Sequence, residues 1–242
     1  MWYVCSQKNG ASALGVQRVL GLGSYRTAWA WLHKLRRAMV RPGRDRLRGE
    51  VEVDESYVGG EEPGFRGPIE SKKKALVAIA AEIRGRGIGR IRMRHVRDRL
   101  LESLMPFVEE AVEPGSLLVT DGWHPYAVLP QIGYRVKMNV LGRAYKQASS
   151  VLPRVHLVAS LLKRWLLGTH QGAVSRHHLD YYLDEFTFRF NRRSSGDRGK
   201  LFMRLLENAV QVDPVPYKSL LRRPSRRPRL KKRLQSGRDH KR

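Results

Sequence analysis

A chain of 242 residues with 41% hydrophobic content is long enough to bury one sizeable core plus a small accessory module, and 47 Lys and Arg against 22 Asp and Glu give a formal net charge of +25. No apolar run approaches the roughly 20 residues needed to cross a bilayer, and the start "MWYVCSQKNG" has no basic head followed by an apolar segment. A lone Cys5 excludes a disulfide framework or a cysteine-rich zinc site made within this chain.

The basic excess points to a polyanion, because Lys and Arg gain affinity by releasing counterions from phosphates. A cytoplasmic protein with nucleic acid as its partner is the expectation. An anionic membrane is the weaker alternative, since the C-terminal run "LLRRPSRRPRLKKRLQSGRDHKR" has two prolines and little apolar patterning.

Residues 10 to 40 read as two helices separated by "GLGS". Ala13, Val16, Val19 and Leu20 give the first a short apolar face. Ser24 is placed to cap the second, whose Tyr25, Ala28, Trp29, Leu32, Leu35 and Met39 recur at helical spacing. Arg26, Thr27, His33, Lys34 and Arg37 fall off that stripe. The pattern fits a helix-turn-helix (1–40) with Arg26, Lys34 and Arg37 as DNA-binding residues, although helix pairs in ordinary cores share it. "RPGRDRLRG" (41–49) reads as a linker, and 50–212 as the main domain. The remainder (213–242) is a basic, disordered tail, serving either as a solubilising arm or as a DNA contact.

From Val51 the period changes to two. Val51, Val53 and Tyr57 fit a strand, with Glu52, Asp54 and Ser56 on its other face. After the loop "GGEEPGFRGPIESKKK", the runs "ALVAIAAEI" and "IGRIRMRHV" read as two more strands joined through "RGRG". Leu101, Leu104, Val108 and Val112 mark a helix stopped by Pro114 and Gly115, and "SLLVTDGW" is a short strand ending at Asp121. "YRVKMNV" is a fifth strand. Pro153 opens a helix with Val155, Val158, Ala159, Leu162 and Leu166 inward, and Ser175 is placed to cap another with Leu179, Tyr182, Leu183, Phe186 and Phe190 as its stripe.

A three-strand meander whose first strand lies beside a later parallel strand brings Asp54 and Asp121 together. The fold class that follows is α/β: a ribonuclease H-like mixed five-stranded sheet flanked by helices, preceded by a small helix-turn-helix segment. Two carboxylates held together are costly unless a cation sits between them. Mg2+ (or Mn2+) answers that cost, since it accepts one or two carboxylates plus water and phosphate oxygens, and paired ions serve phosphoryl displacement.

The stretches "VEVDESYVGG", "VTDGWHPY", "SLLKRWLLGTHQGAVSRHHLDYYLDEFTFRFNRR" and "QKNGASALGVQRVLGLGSYRTAWAWLHKLRRAM" together resemble the Merlin-related, ISXO-type insertion-sequence transposases over roughly residues 7 to 210. The resemblance implies a DDE-type enzyme that cuts and rejoins DNA strands with divalent metal. It makes Asp54 and Asp121 the first two metal-binding residues and Lys163 the family lysine of the last core helix. His156 then stands where relatives have Glu or Asn. The implied catalytic and metal-binding set is Asp54, Asp121 and His156, with Lys163 on DNA.

Glu185 is the alternative third acid, with a structural explanation in its i,i+4 spacing to Arg189. Glu52 shares the face of Asp54 as a supporting carboxylate, while Glu55 points the other way in a structural role. His170, His177 and His178 read as surface or helix-end residues. The resemblance further implies double-stranded DNA partners (element ends and target), a homodimer or larger assembly on DNA, and a prokaryotic, nucleoid-associated setting. Relatives commonly carry a cysteine-pair zinc ribbon ahead of the helix-turn-helix, which this chain, with only Cys5, is expected to lack. Two rival readings stay open: a truncated, inactive DNA-binding remnant or repressor of transposition, and a basic RNA-binding structural protein.

Overall fold

The computed structural model describes residues 1–41, 43–60, 74–139, 151–172 and 174–221. Most of the loop expected after Gly60, and the basic run from 222 onward, lie outside the described residues. In chain order the elements are α1 (Trp2–Ser6), α2 (Ala13–Val19), α3 (Tyr25–Ala38), β1 (Glu50–Val58), β2 (Ala75–Arg84), β3 (Gly87–Val96), α4 (Leu101–Ala111) and β4 (Leu117–Thr120). A 3-10 segment (His124–Ile132) leads to β5 (Arg135–Met138), and then come α5 (Pro153–His170), α6 (Leu179–Phe190), α7 (Arg198–Ala209) and α8 (Tyr217–Leu221).

Among the described residues the five strands form one mixed sheet in the order β3-β2-β1-β4-β5. The β1–β2 and β2–β3 pairs are antiparallel, and the β1–β4 and β4–β5 pairs parallel. This is the ribonuclease H-like α/β arrangement expected from element order, with β1 at the centre.

A central strand is covered on both faces, so the alternation in β1 separates two buried environments rather than core from water. Val51 and Val53 pack with Leu76, Ala78 and Ala80 of β2 against Leu104, Phe107 and Val108 of α4. On the opposite face Val77, Ile79 and Ala81 meet Val155, Val158 and Leu162 of α5 and Leu183 and Phe186 of α6. The alanines of β2 let helices approach both of its faces, and the strand reads as a nearly unbroken buried run. The stripes expected for α5 and α6 are the ones buried.

A third cluster joins Val4, Val16, Ala28 and Leu32 of the N-terminal helices to Phe188, Leu201 and Leu205. In α3 the periodicity misplaces several residues. Tyr25 is exposed, whereas His33 is fully buried and Arg36 nearly so. His33 sits in an aromatic nest, 4.1 Å from Trp29 and 5.0 Å from Tyr181 between ring centroids, and burial with the Arg36 charge pushes its pKa down to about 2. The reason is tertiary: α6 covers a face of α3 that a two-helix unit would expose.

Ser24 occupies the N-cap position of α3 but makes no capping hydrogen bond, while Ser12 caps α2 through its hydroxyl to Gly15 N–H. Ser175 precedes a 3-10 turn (Arg176–His178), and its hydroxyl meets Nδ1 of His178 at 2.9 Å. The other ring nitrogen of His178 reaches the carbonyl of Leu220 on α8 at 3.0 Å. No helix among the described residues is long and apolar enough to cross a membrane.

Candidate active site

The β1–β4 register pairs Glu50 with Leu117, Val51 with Leu118 and Glu52 with Val119. The same offset, carried two residues further, sets Asp54 opposite Asp121 where β4 has ended. Parallel neighbours lie about 4.8 Å apart and matched residues point to the same side. Gly122 follows with φ +82°, a conformation that favours glycine, and the chain turns away.

Each aspartate has one oxygen fixed by backbone. Oδ1 of Asp54 accepts Glu55 N–H at 2.8 Å, and Oδ1 of Asp121 accepts Trp123 N–H at 3.0 Å. Oδ2 of Asp54 lies 3.9 Å from Nε2 of His156, and Oδ2 of Asp121 lies 3.6 Å from the guanidinium of Arg99. Asp54 is almost fully buried, and burial, then the charges of Glu55 and Asp121, push its carboxyl up to about 7. Negative charge at this sheet end thus exceeds what Arg99 balances.

The acids beside Asp54 have separate duties. Glu52 is 2% exposed and stands at the N-terminus of α5, where Leu152 occupies the N-cap position without a capping side chain. Its Oε2 accepts the N–H groups of Arg154 at 2.8 Å and Val155 at 2.9 Å, and its Oε1 accepts the Arg154 guanidinium at 3.0 Å. A carboxylate from the strand therefore does the work of a helix cap and complements the helix dipole. This clamp fixes the first turn of α5 against β1, and His156 of that turn lies beside Asp54.

Glu55 does point the other way, into hydrogen bonds with the Tyr126 hydroxyl and with Arg99. Through Arg99 it is nonetheless tied to Asp121. Arg99 stacks 4.5 Å from the Trp123 ring, and its carbonyl accepts the Trp123 indole N–H at 3.2 Å. Sequence reasoning missed Arg99 because a lone arginine between two elements carries no periodic signal. Glu52→Gln weakens two backbone contacts and an ion pair. An expected loss of about 1–3 kcal/mol, read by urea unfolding, checks the clamp; an unchanged midpoint contradicts it.

The competing acid is elsewhere. Glu185 is fully buried, with Arg36 and Arg189 each at 2.8 Å, and the anticipated i,i+4 pair with Arg189 is present. Lys163 lies on the exposed side of α5, where partial burial, then the Lys74 charge, hold its ammonium below the usual lysine range. Arg26, Lys34 and Arg37 are all exposed on α3. His170 is the last residue of α5, the helix-end place expected of it, and is half-buried with an Nε2 that has no hydrogen-bond partner among the described residues.

Residues 46–191 match the model of the ISXO2-like transposase domain. The chain belongs to the ISXO2-like transposase family. No curated protein matches it. Among solved structures it is similar to a chain of the Mos1 strand transfer complex, at 12% identity and a TM-score of 0.35, covering 79% of this chain and 61% of that one. It is also similar to a chain of a pre-cleavage Mos1 transpososome, at 11% identity and a TM-score of 0.33, covering 85% and 79% respectively. The family's matched segment runs from just before β1 to the end of α6, and so contains Asp54, Asp121, His156 and Lys163.

The donor set fits a hard divalent cation: two carboxylates, each with one oxygen held by a backbone N–H, at a place with surplus buried negative charge. Among the described residues no group of three or more His, Cys, Asp and Glu assembles a complete cage. A cation here would draw further ligands from water or substrate oxygens, as small hard cations commonly do.

Proposed function

We propose that the chain is a DNA transposase, a polynucleotidyl transferase that cleaves strands at the ends of an insertion sequence and joins them to target DNA with Mg2+ or Mn2+. The supporting observation is the register of β1 against β4, which sets Asp54 opposite Asp121 with His156 3.9 Å from Asp54. Asp54 and Asp121 would hold the metal, with His156 as third ligand or as a group positioning water. Bound there, divalent metal supplies an activated oxygen nucleophile and stabilises the leaving oxygen.

The other residues hold and orient. Glu52 fixes the start of α5 and so the height of His156, and Arg99 restrains Asp121 while offsetting local negative charge. Lys163, Arg26, Lys34 and Arg37 offer cations to duplex phosphates, with α3 as a recognition helix. Joining two ends to a target requires at least two copies on DNA, acting on the nucleoid in the cytoplasm.

The test is cleavage of duplex DNA carrying the element's ends, with and without magnesium. Asp121→Ala is expected to lower the cleavage rate by about 10^3-fold or more, the scale of several kcal/mol of lost charge stabilisation, while leaving DNA affinity nearly intact. Wild-type cleavage by Asp121→Ala sinks the assignment, and binding by the unmodified chain without any cleavage favours the inactive remnant.

A further inference from the structure

A cavity of about 350 Å³ lies between the end of α3, the linker, β3, α6 and α7, lined by Arg41, Arg44, Arg90, Arg92, Arg192 and Arg204. Asp54, Asp121 and His156 are not among its walls. Three of the six arginines have carboxylate partners: Arg41 with Asp45, Arg90 with Glu82, and Arg204 with Glu207. Arg44, Arg92 and Arg192 have no ion pair among the described residues. Arg92 is 5% exposed, and among the described residues its guanidinium reaches only the carbonyls of Ile91 and Asp45. Arg192 donates to the Phe188 carbonyl and lies over the Phe188 ring.

Gathering guanidiniums away from water without matching anions is unfavourable. The strain registers in the groups themselves. Burial, then Arg44 and Arg90, pull Arg92 down to about 10, and burial, then Arg204 and Arg41, lower Arg192. Asp184, on the α6 wall, is pushed up to about 7 by burial, against the pull of the Arg44 charge, and makes no ion pair with Arg44 among the described residues. Asn208 of α7 also lines the cavity; it is 2% exposed, and its Nδ2 has no hydrogen-bond partner among the described residues. A buried donor without an acceptor calls for one.

We propose that this cavity binds a phosphate group, held by the unpaired guanidiniums of Arg44, Arg92 and Arg192 and by the amide of Asn208. Forked guanidiniums match phosphate oxygens two at a time. Among the described residues Phe188 is the one aromatic wall, and it is 3% exposed with Arg192 over one face, so no open ring is offered to a base and the phosphate itself is selected. The phosphate belongs either to a DNA backbone passing the rim or to a small free phosphate compound. The site stands apart from the carboxylates at the sheet end, so its test reads binding and not cleavage.

The experiment is thermal unfolding of the full chain against pyrophosphate, with ionic strength held constant by chloride. A saturable rise of about 5–10 °C at a hundredfold excess over Kd is expected. Arg44→Gln, and independently Arg192→Gln, should shift half-saturation upward at least tenfold, while Arg48→Gln outside the cavity should not. Arg192, half-buried on the wall, carries the test if Arg44→Gln does not fold. In a second arm, loss of the pyrophosphate response on adding a short DNA duplex assigns the phosphate to a DNA backbone, and persistence assigns it to a free compound. A rise no larger than chloride gives, or one unchanged in Arg192→Gln, overturns the site.

Discussion

Glu185→Gln lowers the unfolding free energy by about 3–5 kcal/mol, the cost of leaving a buried ion pair half-made. The carboxylate is fully buried and answers two guanidiniums, Arg36 and Arg189, at 2.8 Å each. Arg189 continues to the carbonyls of Gln7 and Val4, and Arg36 lies 4.0 Å from the Tyr182 ring. One carboxylate therefore ties the N-terminal segment and α3 to α6. Gly10 shows how closely the chain is packed there: a Cβ on it would meet Oε1 of Glu185 at 3.0 Å, at a φ of +84°.

Burial raises the Glu185 pKa, but Arg36 and Arg189 outweigh it and hold the group below the usual glutamate value. A depressed folded pKa contributes stability that is present above the unfolded value, near 4.5, and fades as pH falls through the folded one. The deficit of Glu185→Gln should accordingly be full at pH 7 and shrink in acid. Denaturant titrations at both pH values check this, and a deficit below about 1 kcal/mol at pH 7 contradicts the buried-pair account.

Asp54→Asn has opposite consequences for activity and for stability. Cleavage of element-end DNA should fall by about 10^3-fold or more, since a neutral amide cannot supply the charge that holds a divalent cation. The metal-free protein should become more stable, because the substitution removes a buried carboxyl crowded by Glu55 and Asp121 while keeping an oxygen for the Glu55 N–H. At pH 8 without divalent metal, a gain of about 1 kcal/mol raises the thermal midpoint by about 2–4 °C. Functional sites are where proteins retain such unfavourable charge. A lowered midpoint would show that Asp54 serves the fold rather than a ligand.

Much of the site could be read before folding, for a definite reason. The change from period 3.6 to period 2 at Val51, and the turn at Asp121-Gly122, are local signals, and the order of strands then leaves few ways to build a sheet. The acids around Asp54 were harder to tell apart. Glu52 and Glu55 look alike in "VEVDESYVGG", yet one caps a helix that begins about a hundred residues later and the other meets Arg99 and Tyr126.

The N-terminal helices show the same limit. Local periodicity left His33 off the core stripe, and nothing near Arg36 announces a carboxylate 149 residues away. Apolar spacing, turn chemistry and the place of each aspartate in or just beyond its own strand are determined by the sequence itself, because neighbouring residues suffice to express them, whereas the two aspartates meet only through the pairing of β1 with β4. Which carboxylate holds a helix, which an arginine, and which is left facing Asp121 was decided by the tertiary structure, because a buried charge takes its role from partners that only packing brings within reach.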